Sequence, residues 1–325
     1  MKHQSELLIY TAADCNYSLQ AQVLLLSLSK TQTSPVRLII FGNDWKSRDL
    51  KRLQRISNDN VSAEVREVDL SQFSSIKLAS KFPLATAYNI LAPQYFLKEK
   101  GRALYVDADT VITQSLETLL TRQMDYAVSA VIDAHIACIG SPTMWRPWRE
   151  EAIEPLTPYL NTGVMLIDLE HWREMDLTNK IVDVLSRYEL PCVDQDAINI
   201  VLRGSFGRLE PRFNSMPYHY LTQFRYADFI ETDEELHQAI SHPAITHFHR
   251  SFLGKPWAYG AIHPGTKMWR ALADEVDPRW KRSFDLVGYA RRRGAQFARM
   301  LSIDSRAIEL PQLEQTGSNV VAKHE

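Results

Sequence analysis

Apolar residues open this chain as short β-prone runs separated by stretches of helical periodicity. Leu7 to Ala13 (Leu-Leu-Ile-Tyr-Thr-Ala-Ala) is almost continuously apolar and ends in small residues, which predicts a strand buried on both faces. Asp14-Cys15-Asn16-Tyr17 interrupts the run, and Ser18 to Ser29, carrying Leu24, Leu25, Leu26 and Leu28, predicts a helix. Val36 to Phe41 predicts a second strand between Pro35 and Gly42, followed by a helix over Ser47 to Ile56 with Ser47 as its N-cap. Val61 to Val68 alternates apolar and polar side chains as a third strand. Ala85 to Leu97 predicts a helix interrupted near Pro93, and Ala103 to Val106 a fourth buried strand. Thr162 to Ile167 and Ala244 to Phe248 are the clearest strands of the less regular second half. Strands alternating with helices through short connections predict an α/β fold with a Rossmann-like, mostly parallel central sheet and flanking helices.

Composition adds little to this picture. The 325 residues are 45% hydrophobic and 23% charged, enough apolar mass for one large domain or two small ones. A formal net charge of −2 argues against nucleic acid as a partner. Cys15, Cys138 and Cys192 fit neither a zinc pattern nor a disulfide framework, which favours a reducing compartment. Met1 to Glu6 is polar and leads into a brief apolar run, unlike a secretory signal, and no apolar run approaches the roughly 20 residues that span a bilayer. The expected location is cytoplasmic, extending to the inner face of the membrane.

Four places carry candidate chemistry. Leu104-Tyr105-Val106-Asp107-Ala108-Asp109 delivers two carboxylates to the C-terminal end of a buried strand, the edge where open α/β sheets bind ligands. Paired hard oxygens suit Mg²⁺ or Mn²⁺, which bridge phosphates; acids in this position also cap helices. In Ile245-Thr246-His247-Phe248-His249, histidines at i and i+2 of a strand face one side, so either is a candidate metal ligand. Lys255, beside Pro256 and Trp257, can neutralise a diphosphate. Asp194-Gln195-Asp196 reads as a helix start, with Asp194 as N-cap, or as a polar group holding sugar hydroxyls. Gly163, in Asn161-Thr162-Gly163-Val164, permits close backbone approach to a ligand or marks a turn.

Ala12-Ala13-Asp14 with Asn16-Tyr17, the Asp107 and Asp109 motif, Asn161-Thr162-Gly163-Val164 through Asp168, Asp194-Gln195-Asp196, and His247-Phe248 with Lys255-Pro256-Trp257 follow one another over about residues 6 to 260. In that order they resemble glycosyltransferase family 8, which includes glycogenin and bacterial lipopolysaccharide galactosyl- and glucosyltransferases. The resemblance implies a GT-A fold, Mn²⁺ (or Mg²⁺), a UDP-sugar donor and transfer with retained anomeric configuration. It assigns Ala12, Asp14, Asn16 and Tyr17 to the nucleotide, the Tyr17 ring stacking on the base. It assigns Asp107 and Asp109 to the metal together with His247 or His249, and Lys255 to the diphosphate. Asp133, Asn161, Gly163, Asp194 and Gln195 would line the donor sugar, with Gln195 on the face opposite the leaving group; Asp133, Asp194 and Gln195 are the catalytic candidates. The sequence departs from the family pattern at Cys15, where a second acid is common, and at Asn89, where many members carry arginine. The spacing to Lys255 favours His249, whereas the strand context favours His247.

The C-terminal part is basic. Lys281, Arg282, Arg291, Arg292, Arg293 and Arg299 accompany apolar residues at helical spacing, as in a helix lying on an anionic membrane or packed on the domain. The expected organisation is a catalytic domain over 1–275, a basic amphipathic helical extension over 276–302 that reaches an anionic membrane surface through 281–301, and a disordered tail over 303–325. The acceptor expected of such an enzyme is a glycan or glycolipid. Two other readings are a nucleotidyltransferase, which usually has a glycine-rich loop where Ala12 to Tyr17 has no glycine, and a catalytically silent nucleotide-sugar-binding or membrane adaptor protein.

Overall fold

The N-terminal apolar runs become strands because both of their faces are covered. The computed structural model describes residues 6–69, 87–141, 147–221, 231–282 and 289–290. Its strands are β1 (Leu7–Ala12), β2 (Val36–Phe41), β3 (Val61–Arg66), β4 (Arg102–Val106), β5 (Thr110–Ile112), β6 (Val128–Ile132), β7 (Leu160–Asp168), β8 (Gly207–Arg208) and β9 (Ile245–His247). Its helices are α1 (Ser18–Thr31), α2 (Ser47–Ile56), α3 (Tyr88–Leu91), α4 (Glu117–Thr121), α5 (Pro147–Glu150), α6 (Leu169–Glu174), α7 (Leu177–Arg187), α8 (Val193–Leu202), α9 (Asp233–Ser241) and α10 (Thr266–Val276). The seven-stranded sheet has the order β3-β2-β1-β4-β7-β6-β8. It is mostly parallel, since only β7 runs against its two neighbours.

Alternation along the strands divides the core into two layers. Leu8, Tyr10, Ile39, Phe41, Tyr105 and Met165 pack on one face with helices α7 and α8, through Ile181, Val184 and Ile198. Leu7, Ile9, Leu38, Ile40, Leu104 and Val164 pack on the other against Leu24, Leu25 and Leu28 of α1. Helix α1 is apolar nearly all round because its outer side is covered too: Val23 and Leu26 meet Trp269, Ala273 and Val276 of α10. The expected domain end at 275 thus falls one residue before the end of a packed helix. Trp280 lies beyond it, 5.4 Å from the Trp269 ring. Residues 283–288 and 291–325, with most of the expected basic helix and the whole tail, lie outside the described residues.

Several local expectations differ. Strand β3 ends at Arg66 rather than Val68. Lys46, not Ser47, holds the cap position of α2, without a side-chain hydrogen bond. The helix expected over 85–97 (85 and 86 lie outside the described residues) is a single α turn, α3, followed by a π-helical segment at Ala92–Phe96. Pro93 has no N–H to give to the carbonyl of Asn89, and that carbonyl instead accepts from Tyr10 Oη at 3.1 Å.

Candidate active site

Strands β1 and β4 are parallel neighbours, so the loops leaving their C-terminal ends lie side by side. After β1, Asp14 folds the next residues over itself. Its Oδ1 accepts from the amides of Asn16 (2.9 Å) and Tyr17 (3.2 Å), and its Oδ2 from Asn16 Nδ2 (3.1 Å). Tyr17 is left 40% exposed, edge-on to Trp257 at 6.2 Å, with its ring open to the cavity. After β4, Asp107 is tied to β7, its amide donating to the Gly163 carbonyl at 2.8 Å.

A second, two-stranded sheet supplies the histidine. Strand β5 pairs antiparallel with β9, setting Thr110 opposite His247 and so bringing the histidine beside the residue that precedes Thr110, Asp109. His247 Nε2 lies 3.3 Å from Asp107 Oδ2 and 3.3 Å from Asp109 Oδ1. The ligand atoms of these three residues all fall within 4.8 Å of one another. Nε2 is buried with the two carboxylates as its neighbours, while Nδ1 lies 3.0 Å from Asn214 Oδ1. With Asn214 accepting from Nδ1–H, Nε2 is the nitrogen that faces the carboxylates, and it would serve a metal on giving up its proton. Burial opposes charge on His247, but Asp109 and Asp107 outweigh it and hold the ring up at about 9. Burial likewise opposes ionisation of Asp109, yet Lys255 and His247 pull its carboxyl far below the usual range. Lys255 Nζ bonds directly to Asp109 Oδ2. Two acids and one imidazole are a donor set that fits Mn²⁺ or Mg²⁺.

A Cβ on Gly163 would stand 2.2 Å from His247 Cε1 and 2.9 Å from Asp107 Oδ2. The missing side chain makes room for the cluster, and Gly163 also lines the cavity beside it.

The opposite wall is made of amides. Asp133 Oδ1 caps the turn after β6, accepting from the amides of His135 and Ile136 at 2.8 Å each. Its Oδ2 accepts from Asn161 Nδ2 (2.8 Å) and Gln195 Nε2 (3.2 Å). Gln195 Oε1 accepts from Asn161 Nδ2 (3.0 Å) and the Thr162 amide (3.1 Å). Asp194 is not the N-cap of α8, a place taken by Cys192 without a side-chain hydrogen bond. The Asp194 carboxylate turns into the cavity and accepts from Asn89 Nδ2 (2.5 Å) and Thr162 Oγ1 (3.3 Å). Burial pushes its carboxyl up to about 7 against those bonds, and the charge of Asp107 adds to the rise. Burial pushes the Cys192 thiol up to about 12, so it lines the wall as a neutral group.

One cavity of about 690 Å³ is bounded by both walls and by the Asp14 loop. Every residue assigned above on sequence lines it except Lys255, whose ammonium is held on Asp109, and Asp196, whose buried carboxylate accepts from Tyr159 Oη and the Cys192 amide. Of the two histidines, only His247 joins the carboxylates. Strand β9 ends there, the i and i+2 equivalence ends with it, and His249 stacks on Tyr218 at 5.6 Å. Asn214 and Tyr105 escaped the sequence reading. Tyr105 Oη donates to Asp107 Oδ1 at 2.6 Å. Asn214, wholly buried, also donates through Nδ2 to Asn161 Oδ1 at 2.8 Å, which links the two walls. A lone amide between Phe213 and Met216 was the available cue.

A family model described as Glycosyl transferase family 8 matches residues 8–261. The chain is 30% identical to Lipopolysaccharide 1,2-glucosyltransferase of Escherichia coli (strain K12) over 253 residues, 74% of this chain and 69% of that protein. It is 27% identical to General stress protein A of Bacillus subtilis (strain 168) over 265 residues, 79% of this chain and 89% of that one. Among solved structures, galactosyltransferase LgtC in complex with donor and acceptor sugar analogs gives a TM-score of 0.65 at 20% identity, covering 84% of this chain and 96% of that chain. The bifunctional glycosyltransferase WbbM gives 0.71 at 17% identity, covering 87% of this chain and 53% of that chain. At such identities the likeness shows the fold, which is GT-A.

Proposed function

The chain belongs to glycosyl transferase family 8 and is a glycosyltransferase, and from that premise we propose that it moves a hexose from a UDP-sugar to a hydroxyl of a glycan or glycolipid, retaining the anomeric configuration. The observation that carries this reading is the meeting of Asp107, Asp109 and His247, whose buried Nε2 lies 3.3 Å from each carboxylate. Those three residues would hold Mn²⁺ or Mg²⁺. When bound, such a cation stabilises the negative charge that develops on a departing diphosphate. Lys255 balances Asp109 in this structure and brings a further positive charge to the same end of the cavity. Tyr17, open to the cavity, offers a face for the uracil, with Ala12, Asp14 and Asn16 around it.

The amide wall supports a positioning role for Gln195. Its oxygen already accepts from Asn161 and Thr162, and its nitrogen is held by Asp133, so no lone pair is freely presented for attack on a sugar carbon. Same-face attack by the acceptor hydroxyl, beside the departing diphosphate, agrees with that arrangement better than a covalent intermediate on Gln195. Asp133 and Asp194 flank the same space, Asp194 able to exchange a proton near neutrality. No helix among the described residues is long and apolar enough to cross a membrane. A cytoplasmic enzyme that reaches its acceptor at the membrane surface, through residues 281–301, completes the proposal.

Screening UDP-sugars for slow hydrolysis tests it. At least one UDP-hexose should be cleaved with Mn²⁺ present and spared in EDTA. Equal cleavage in both conditions, or cleavage only of sugar donors carrying another base, would overturn the metal or the uridine assignment respectively.

A further inference from the structure

A second concavity, of about 950 Å³, lies away from the metal-ligand cluster, between α1, α2 and the segment that follows α10. Its wall is basic. Arg48, Lys51, Arg52 and Arg55 follow one another at i, i+3, i+4 and i+7, which puts them on one face of α2. Arg279 and Lys281 join them from the segment after α10, making six basic side chains against two acids, Asp49 and Asp277. The chain as a whole carries −2, so this face has the opposite sign to the molecule.

How these charges are engaged decides what they can bind. Arg52 is the enclosed one, its side chain 13% exposed, and it is already engaged by Asp49 at 3.0 Å and Asp277 at 2.6 Å. The remainder stand at the rim. The side chains of Arg48 and Arg279 are 70% and 91% exposed, with ion-pair separations of 3.7 and 4.0 Å. Lys51, Arg55 and Lys281 form no ion pair among the described residues. A discrete anion would need free donors converging inside the groove, and the only enclosed cation is spent. Available positive charge spread along a rim suits an extended anionic plane.

We infer that the α2 face, together with Arg279 and Lys281, docks on an anionic lipid surface. This goes beyond the membrane contact proposed for residues 281–301, because it places part of the contact on the folded domain. Ser18 and Leu19 line the basic groove and Tyr17, one residue earlier, lines the donor cavity. A membrane held on this face therefore lies next to the nucleotide loop, where an acceptor carried by a lipid would be presented.

The test uses the full chain and vesicles of phosphatidylcholine, with and without phosphatidylglycerol, at low and high salt. Arg48→Gln/Lys51→Gln/Arg55→Gln leaves the paired Arg52 in place and should lower affinity for the anionic vesicles about a hundredfold. Hydrolysis of the UDP-sugar should be unchanged, which also reports that the variant is folded. Arg48→Lys/Lys51→Arg/Arg55→Lys, which keeps the charge, should bind like the original chain. Neutralising Arg291, Arg292 and Arg293 instead should leave measurable, salt-sensitive binding, and complete loss there would refute a role for the α2 face. Wild-type affinity in the α2 triple variant would refute it equally. So would binding of inorganic tripolyphosphate, lost in that variant, by a chain that ignores vesicles, because it would make the groove a discrete anion site.

Discussion

The two walls of the donor cavity hold their polar groups in opposite ways. On the β4–β9 side, Asp107, Asp109, His247 and Lys255 are charged groups pressed together, with His247 Nε2 3.3 Å from each of the two carboxylates. On the β6–β7–α8 side, Asp133, Asn161 and Gln195 satisfy one another through amide hydrogen bonds of 2.8 to 3.2 Å. Two carboxylates and an imidazole nitrogen whose ligand atoms fall within 4.8 Å of one another suit a cation, so the first wall can take up another partner. The second is complete, and its geometry is fixed before any substrate arrives. Asn214 joins them, one end on His247 and the other on Asn161.

The deepest cut to the charged wall is Asp109→Ala. It should lower donor hydrolysis about a thousandfold or more and make UDP affinity insensitive to Mn²⁺. Calorimetry of UDP with and without the metal checks it, and an Mn²⁺-responsive variant would show that the carboxylate is not a ligand. Next in size, His247→Ala should cost about a hundredfold while His249→Ala leaves turnover largely intact. Similar, mild losses in both would place the imidazole outside the metal shell.

Between the walls, Asn214→Leu keeps the volume but removes the acceptor that fixes the His247 tautomer. Metal affinity should fall about tenfold to a hundredfold, with a smaller effect on UDP binding measured without metal. An unchanged Mn²⁺ titration would mean that His247 is oriented by packing alone.

The amide wall is tested through Asp194, whose folded carboxyl titrates at about 7 against an ordinary 3.8. A carboxyl raised in the folded state favours folding below about 3.8, and that contribution is lost as pH rises through 7. Asp194→Asn, still able to accept from Asn89 and Thr162, should therefore gain stability over the original chain across that window. By pH 8 the gain should reach about 4 kcal/mol, read from thermal melts. Melting curves that stay parallel from pH 5 to 8 would refute the shift. The smallest effect is expected outside the cavity, at an ion pair that is already complete. Arg208 meets Glu235 through two bonds of 2.7 Å, and the guanidinium holds the Glu235 carboxyl down at about 2. Glu235→Gln should cost about 1 kcal/mol at neutral pH. Because this pKa is depressed, the cost should be full above about 4.5 and disappear as pH falls through 2. A cost that persists at acid pH would mean that the capping contacts with Thr232, not the charge, stabilise this end of α9.

The residues from Leu7 to Asp109 show what local pattern determines. Continuous apolar runs at β1, β2 and β4 could only be strands covered on both sides, and the acids at the end of β4 followed from the run that precedes them. Much of the polar lining of the cavity was legible as well, Asp107 from the strand that precedes it and Asp14, Asn161 and Gln195 through the family resemblance. Other features came from partners far away in sequence. Strand β7 looks like any apolar strand, and only its pairing in the sheet sets it antiparallel to β4. Strand β5 is too short to declare itself, and although β9 was expected within Ala244 to Phe248, only its pairing with β5 across residues 110 to 247 chooses His247 over His249. The bridge from Ser215 to Thr246 then brings Asn214 to the ring. Periodicity records whether a side chain is buried, so the sequence determined the strands and the stock of chemical groups. Which groups touch is set by strand pairing between distant segments, where each hydrogen bond is the same for every residue type, and that only the tertiary structure decided.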